Sequence, residues 1–460
     1  MNPARPTMPE RAGTLSCCPM AGVNEILEGW QKDGIEWVRF ELPDMHGTSR
    51  SKTIPIRHAF GYAERGLNMY GGASVLDSRS DVVGGTLYNE ERQYADQLLF
   101  PDPDTAAVVP WADRTARFIC DASWYDGTPL DATPRQVYRR VLDRCRAMGF
   151  EPLTGFEYEF YLLDAETREP LFSGYHIFNT VRNAYVPTVG RILELMPQIG
   201  VDIITSNCEY AGSQWEINFA PGKGLAGPDQ AFTFKNGVKE IARGDGYLAT
   251  FMSKPFGDSA GSGCHTHISL VDAKSGKNAF GDPDDPEGIS GVCRSFIAGQ
   301  LRYAKAVDAL IAPTVNCHRR RRKHTFSPTN ISWGLEDRSA LLRVKGGTPE
   351  STHTENRGPT ALSNPYLVGA ALLSAGLAGI EQGLKPPPPS RDAPAEEDPS
   401  LEPLPSSLAE ALGELAGEPA TKEFFGEEFL KVYTAMRGHE LSRFADWVTD
   451  WERQEYLELF

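Results

Sequence analysis

The chain has 460 residues, 40% of them hydrophobic and 23% charged, with a formal net charge of −16. That composition supports a large buried core in one to three domains, and its acidity excludes a chain that coats nucleic acid, because a phosphate backbone would repel it. The eight cysteines are scattered without a CxxC pair, which excludes a disulfide scaffold and fits reduced thiols in the cytoplasm.

Residues 1–21 are rich in Pro, Arg and Ser and carry no apolar leader, so a disordered tail is expected. IEWVRFELPD (35–44) alternates as a strand does, and MHG follows as a turn. Up to about residue 110, short strand-like runs mix with Gly-rich loops such as YGGASVLDSRSD, which suggests a small β-rich region. A helix is predicted from Pro134, with Thr133 as its N-cap and Gly149 as its stop. Val137, Val141, Leu142, Cys145 and Met148 give it one apolar face. The apolar run 367–380 is shorter than the roughly 18 residues that span a bilayer and reads as a buried helix, so no membrane partner is expected. The Pro-rich stretch 385–405 reads as a linker or as a long surface loop inside one domain. Helical patterning resumes in LAEALGEL (408–415).

In GFEYEFYLL (155–163), Glu157 and Glu159 fall on one face of a strand, about 7 Å apart. Such neighbours repel unless a cation or an arginine lies between them. Glu209 and Glu216 flank a Gly-Ser turn, and QWEINF puts Glu216 and Asn218 on one strand face. In GSGCHTHISL, His265, His267 and Ser269 share a face, and HTENRGP adds Glu355 and Arg357. Five glutamates and one imidazole can thus project from one side of adjacent strands. That oxygen-rich set suits Mg²⁺ or Mn²⁺ better than zinc, and six ligands divide into two sites of three. Arg338 and Arg343 follow the strand-like NISWG, and guanidinium groups bind carboxylate and phosphate oxygens bidentately. Two hard cations beside arginines equip a site for phosphoryl transfer from a nucleotide. Neither a P-loop nor a Rossmann fingerprint is present.

HRRRRKH (318–324) is the one concentrated basic block in this acidic chain. It could be an address label, a nucleic-acid grip or the floor of an anion site.

FEYEF, CEYAGSQWE, GSGCHTHISL, TVN with PTNISWG, RSALLRV, and E-x-R with SNPYLVGAALLSAGLAGIE resemble, in this order, the motifs of glutamine synthetases. The resemblance runs from about residue 24 to the end. GTSRSKTIP and PWADRTARFICD are more similar to lengsin, a branch of that superfamily. The resemblance implies an α+β protein with a β-grasp domain at 22–128. It also implies a catalytic domain at 129–460, built on a curved antiparallel sheet with helices. It implies a homo-oligomeric ring whose active sites are completed by a neighbour's N-terminal domain. The implied activity is a ligase that activates glutamate with ATP as γ-glutamyl phosphate and passes the γ-glutamyl group to ammonia or an organic amine. Two or more Mg²⁺ or Mn²⁺ ions per site would serve it. The alternative is a non-catalytic, lengsin-like structural oligomer. Nucleic acid is not an expected partner, since the basic block runs directly into the NISWG motif.

By motif position, the resemblance assigns Glu159, Glu209 and Glu216 to a first cation and Glu157, His265 and Glu355 to a second. It puts His267, Ser269 and Arg343 at the nucleotide, and Gly261, Arg320 and Arg357 at the glutamate substrate. Arg338 and Glu355 carry the catalytic positions, Arg338 against the transferred phosphoryl group. Arg320 thereby ties the basic block to an anion site. The chain departs from the family pattern on the ammonium side. Gly71 and Phe326 stand where the family has carboxylates, and at Gly71 the change is expected to open space. His353 replaces an arginine near ATP, and Ala260 replaces an asparagine of the substrate loop.

Overall fold

A computed structural model describes residues 20–174, 177–184, 186–391 and 394–460. The expected disordered tail, 1–21, lies outside these residues except for Met20 and Ala21, which open the helix Met20–Lys32.

The first sheet is built from β1 (Trp37–Pro43), β2 (Ser49–Pro55), β3 (Leu67–Tyr70), β4 (Asp96–Pro101), β5 (Ala107–Val108) and β6 (Thr115–Ser123). Its order is β2-β1-β6-β4-β3, with β5 also on β6. Only β1 and β6 run parallel, and both bury their apolar residues, Val38, Phe40, Phe118 and Ile119 among them. The helix Met20–Lys32 covers the sheet through Trp30, whose ring lies 4.8 Å from that of Phe118.

The second sheet holds β7 (Phe150–Asp164), β8 (Ile203–Cys208), β9 (Gln214–Phe219), β10 (Gly222–Lys223), β11 (Tyr247–Thr250), β12 (Cys264–Asp272), β13 (Trp333–Leu335), β14 (Leu342–Lys345) and β15 (His353–Asn356). Its order is β13-β14-β15-β12-β7-β9-β8, with β10 and β11 also on β7. All pairings are antiparallel except β13 with β14. Helix and sheet are therefore mixed in the α+β manner expected, and one apolar core runs through both parts.

The predicted helix forms as Pro134–Ala147, and Gly149 follows at φ +85°, a conformation that ends a helix without strain in glycine. Thr133 does not cap it: the hydroxyl donates to the Leu130 carbonyl at 2.9 Å instead. The helix Pro365–Glu381 is buried from Pro365 to Gly379, with Asn364 accepting the Tyr366 N–H as its cap. This explains its all-round apolar sequence. Among the described residues no helix is long and apolar enough to cross a membrane.

Outside residues 392–393, the stretch 385–405 runs as a loop with one short turn, Ala395–Glu397, tied along the β13 end of the sheet. Trp333 Nε1 donates to the Pro387 carbonyl at 2.7 Å, and the Leu404 N–H donates to the Thr329 carbonyl at 3.0 Å. Arg135, a buried guanidinium, ties the first sheet to the helix Ala226–Gly244: it donates to Asp102 and Asp121 on one side and to Asp229 of that helix on the other. Tyr366 donates to the same Asp229. A buried guanidinium needs this many carboxylate oxygens to offset its lost hydration.

Candidate active site

Strand register assembles the site. Along β7, Tyr158, Phe160 and Leu162 point into the core, which turns Glu157 and Glu159 to the opposite face. Pairing sets Glu159 opposite Glu216 and Glu157 opposite Asn218 on β9, and His265 of β12 opposite Glu157. On the other side of β12, His267 pairs with Glu355 of β15. Carboxylates directly opposite one another across strands repel, so this arrangement opposes folding unless something positive occupies it.

All six predicted ligands come together. His265 Nδ1 lies 3.1 Å from Glu157 Oε1 and 3.8 Å from Glu355 Oε1, while its Nε2 lies 4.0 Å from Glu159 Oε1. Glu157, Glu216 and His265 each offer a ligand atom within 4.8 Å of the others. The trio takes members from both of the triplets that the resemblance implies, and the Glu159–Glu216 and Glu157–His265 pairings set them in one continuous row. Glu159 is further fixed by the Gly263 N–H at 2.9 Å and the Gln214 amide at 3.3 Å. Glu209 takes the Asn207 amide at 3.1 Å and the Tyr210 N–H at 3.2 Å. Gln214 and Asn207 were not singled out from sequence. Gln214 shares Glu216's strand face by period two, and that is the signal that could have found it.

The electrostatics mark an uncompensated negative site. Burial, reinforced by the charges of Glu157 and Glu159, pushes Glu216 up to about 10. Burial and the Glu159 charge push Glu209 up to about 7. Burial would also raise Glu157, but hydrogen bonds with His265 and His267 hold it well below the usual range. Glu355 is brought to about 2 against its own burial by His265, His267 and Arg357. Burial, with Arg357 nearby, lowers the pKa of His265 while Glu157 and Glu355 raise it, and its Nε2 is buried without a hydrogen-bond partner. An imidazole with an unpartnered ring nitrogen among crowded carboxylates is a donor set that fits hard divalent cations.

Guanidinium groups border the cluster. Arg343 Nη1 donates to Glu355 Oε2 at 3.1 Å, and Arg357 donates to Glu355 Oε1. Arg343 also pairs with Glu336, which the sequence reading did not single out. Arg320 is buried and donates to the Arg357 carbonyl at 3.3 Å. Burial lowers its pKa to about 10, so it stays charged at neutral pH. Gly261 and Gly263 make room for it: a Cβ at Gly261 would lie 2.7 Å from Arg320 Cγ, and one at Gly263 2.5 Å from Nη2. His267 Nε2 lies 3.4 Å from Glu157 Oε2, and His353 Nε2 lies 3.1 Å from His267 Nδ1. Ser269 is buried further along the same face of β12. Arg338 is the predicted site residue that the structure leaves apart. It is exposed on the loop between β13 and β14, outside the ion pairs that fix Arg343 and Arg357.

The basic block divides by residue rather than forming one solvated loop. His318 is buried against the Pro405 carbonyl. Arg320 faces the site, and Arg321 makes an ion pair with Asp308 in which the side chains are only 6% and 0% exposed. Lys323 and His324 lie beside Glu396 and Glu397 of the 385–405 loop. Arg319 and Arg322 are exposed. Gly71 opens no space, because a Cβ there would meet the Ala95 carbonyl oxygen at 2.6 Å and the Trp124 ring at 2.8 Å.

The glutamine synthetase catalytic-domain family model matches residues 131–456. The chain is 34% identical over 445 residues to a glutamine synthetase of Thermotoga maritima, covering 93% of this chain and 98% of that protein. It is 31% identical over 445 residues to a glutamate–isopropylamine ligase of a Pseudomonas species, covering 93% and 96%. A solved complex of GmaS with ADP superposes with a TM-score of 0.84 at 28% identity, covering 94% of this chain and 99% of that one.

Proposed function

The chain belongs to the glutamine synthetase family, and from that premise we propose that it is an ATP- and divalent-metal-dependent ligase that joins glutamate, through its γ-carboxyl group, to ammonia or an organic amine. The observation that carries this reading is the cluster of Glu157, Glu159, Glu216, His265 and Glu355 on adjacent strands, joined by Glu209 from the turn between β8 and β9 and bordered by Arg320, Arg343 and Arg357. Similarity to a glutamate–isopropylamine ligase supports an amine as acceptor. The complete carboxylate set also speaks against the non-catalytic alternative, since clustered buried charge opposes folding and nothing structural requires it.

In this reading the six cluster residues hold Mg²⁺ or Mn²⁺. Bound there, the ions would neutralise phosphate charge. His267, Ser269 and Arg343 hold the nucleotide, while Arg320, Arg357 and the Gly261 backbone orient glutamate. The γ-carboxylate of glutamate attacks the γ-phosphorus of ATP, and ADP leaves with the electron pair of the broken P–O bond. Arg338, on its exposed loop, swings in against the transferring group. Burial of Arg320 and Arg357 keeps water from competing for the substrate carboxylate. The amine lone pair then forms the C–N bond, phosphate leaves, and the nitrogen gives up one proton. The proposed assembly is a homo-oligomeric ring with sites completed between subunits, which sedimentation would test.

The test of function is phosphate release from ATP by the purified protein with Mg²⁺ and glutamate, with and without a panel of amines that includes ammonia. Amine-stimulated release is expected. A folded protein that releases none with any amine would overturn the reading.

A further inference from the structure

Two aromatic rings lie where the site meets solvent. Tyr210 follows Glu209 directly, and its N–H is anchored on the Glu209 carboxylate at 3.2 Å. Phe326 lies two residues beyond the basic block in the same loop, and its carbonyl accepts from Arg357 Nη2 at 3.4 Å. The rings stack with centroids 6.1 Å apart and planes at 28°. One end of the pair is thus tied to the cation cluster and the other to the guanidinium that grips Glu355. Both rings stay open to solvent, Tyr210 at 40% and Phe326 at 51% exposure. Phe326 adopts φ +55°, and His324 two residues earlier adopts φ +62°. Bulky residues rarely take that left-handed conformation, and where they do the strain commonly serves a site.

An apolar shelf at the mouth of a site otherwise walled by carboxylates and guanidiniums needs an occupant with apolar surface. Ammonium has none. An alkylamine can lay its hydrocarbon on the ring faces, removing apolar area from water. In its protonated form it is also drawn to the rings' negative faces. We propose that Tyr210 and Phe326 form the acceptor subsite and that the acceptor is a primary amine with a short alkyl substituent, in preference to ammonia. This rests on the ligase reading above. The amine nitrogen forms a bond to the γ-acyl carbon, the bond from that carbon to the phosphate oxygen breaks, and phosphate departs with the electron pair. One proton passes from nitrogen to water.

The experiment compares kcat/KM for ammonium, methylamine, ethylamine and isopropylamine in the full-length wild type and in Phe326→Ala, Tyr210→Ala and Phe326→Tyr. Wild type is expected to favour the larger alkylamines over ammonium by about tenfold or more, the discrimination that one or two buried methylenes supply. Phe326→Ala and Tyr210→Ala should each lower the alkylamine-to-ammonium ratio by about tenfold, and Phe326→Tyr should restore it. Wild type that prefers ammonium, or alanine variants that scale all acceptors alike, would overturn the proposal. So would variants that change the assembly size but leave the acceptor ratio untouched, since the shelf would then be a subunit contact. Glutamate-dependent positional isotope exchange in ATP, run without any amine, separates the two readings. Exchange together with ammonium preference refutes the subsite alone, whereas no exchange and no turnover refute the ligase reading and the subsite with it.

Discussion

The sheet-borne cluster and the loop-borne rim obey different rules. On β7, β9, β12 and β15 every side chain is positioned by register, and Glu355, with its partners Arg343 and Arg357, is buried. On the rim, Tyr210, Phe326, Arg322 and Arg338 are exposed, and Lys323 pairs with Glu397 at 56% and 44% side-chain exposure. Strands hold ligand atoms to a fraction of an ångström, as phosphoryl chemistry needs, while loops can change their side chains without disturbing that geometry. In the reading proposed above, the cluster serves the phosphoryl chemistry and the rim sets which acceptor enters.

The sharpest break of that contrast is at Glu355. Glu355→Gln keeps the shape beside Arg343 and Arg357 but leaves one acceptor oxygen for two guanidinium donors and removes the charge from the cation cluster. Glutamate-dependent ATP turnover should fall by about 10²–10³-fold or more, the scale seen when one electrostatic group is lost from a site. An equal loss on truncating exposed Arg322 would erase the distinction between the two regions.

The cluster was legible in the sequence because strand period two puts alternate residues on one face, and GFEYEFYLL, QWEINF and CHTHISL all carry that pattern. How closely its members approach was not, because that depends on the registers of β7 with β9 and β12, and these pairings are non-local. The rim was still less legible. Tyr210 and Phe326 are far apart in the chain, and no local pattern announces that they stack. Likewise the space expected at Gly71 is filled by Trp124, a neighbour that only the tertiary fold supplies.

The next largest effect is expected inside the basic block. Asp308 is fully buried, and its carboxylate is the ion-pair partner of Arg321. Asp308→Ala would leave a guanidinium uncompensated in the interior, a loss of about 3–5 kcal/mol, read from urea unfolding. A loss within the range of an exposed ion pair, about 0–1 kcal/mol, would mean that Arg321 behaves as part of the rim despite its burial.

The smallest expected effect tests whether the cluster is built for cations. Carboxyl groups with raised pKa stabilise the fold fully below their unfolded value near 4.5 and lose that contribution as pH rises through the folded value. For Glu209 that window runs up to about 7 and for Glu216 up to about 10. The metal-free protein should therefore lose melting temperature as pH rises from 6 toward 9, windows set by those two groups. Mg²⁺ or Mn²⁺ replaces the missing positive charge and should flatten that decline. At a hundred times its Kd the ion adds about 2.7 kcal/mol through preferential binding to the folded state. Because the cation displaces the protons that Glu209 and Glu216 hold, its addition at neutral pH should also acidify a weakly buffered solution. Melting curves that decline with pH equally with and without the metal would mean that the crowded carboxylates find their compensation elsewhere. The rigid half of the comparison would then lose its chemical reason.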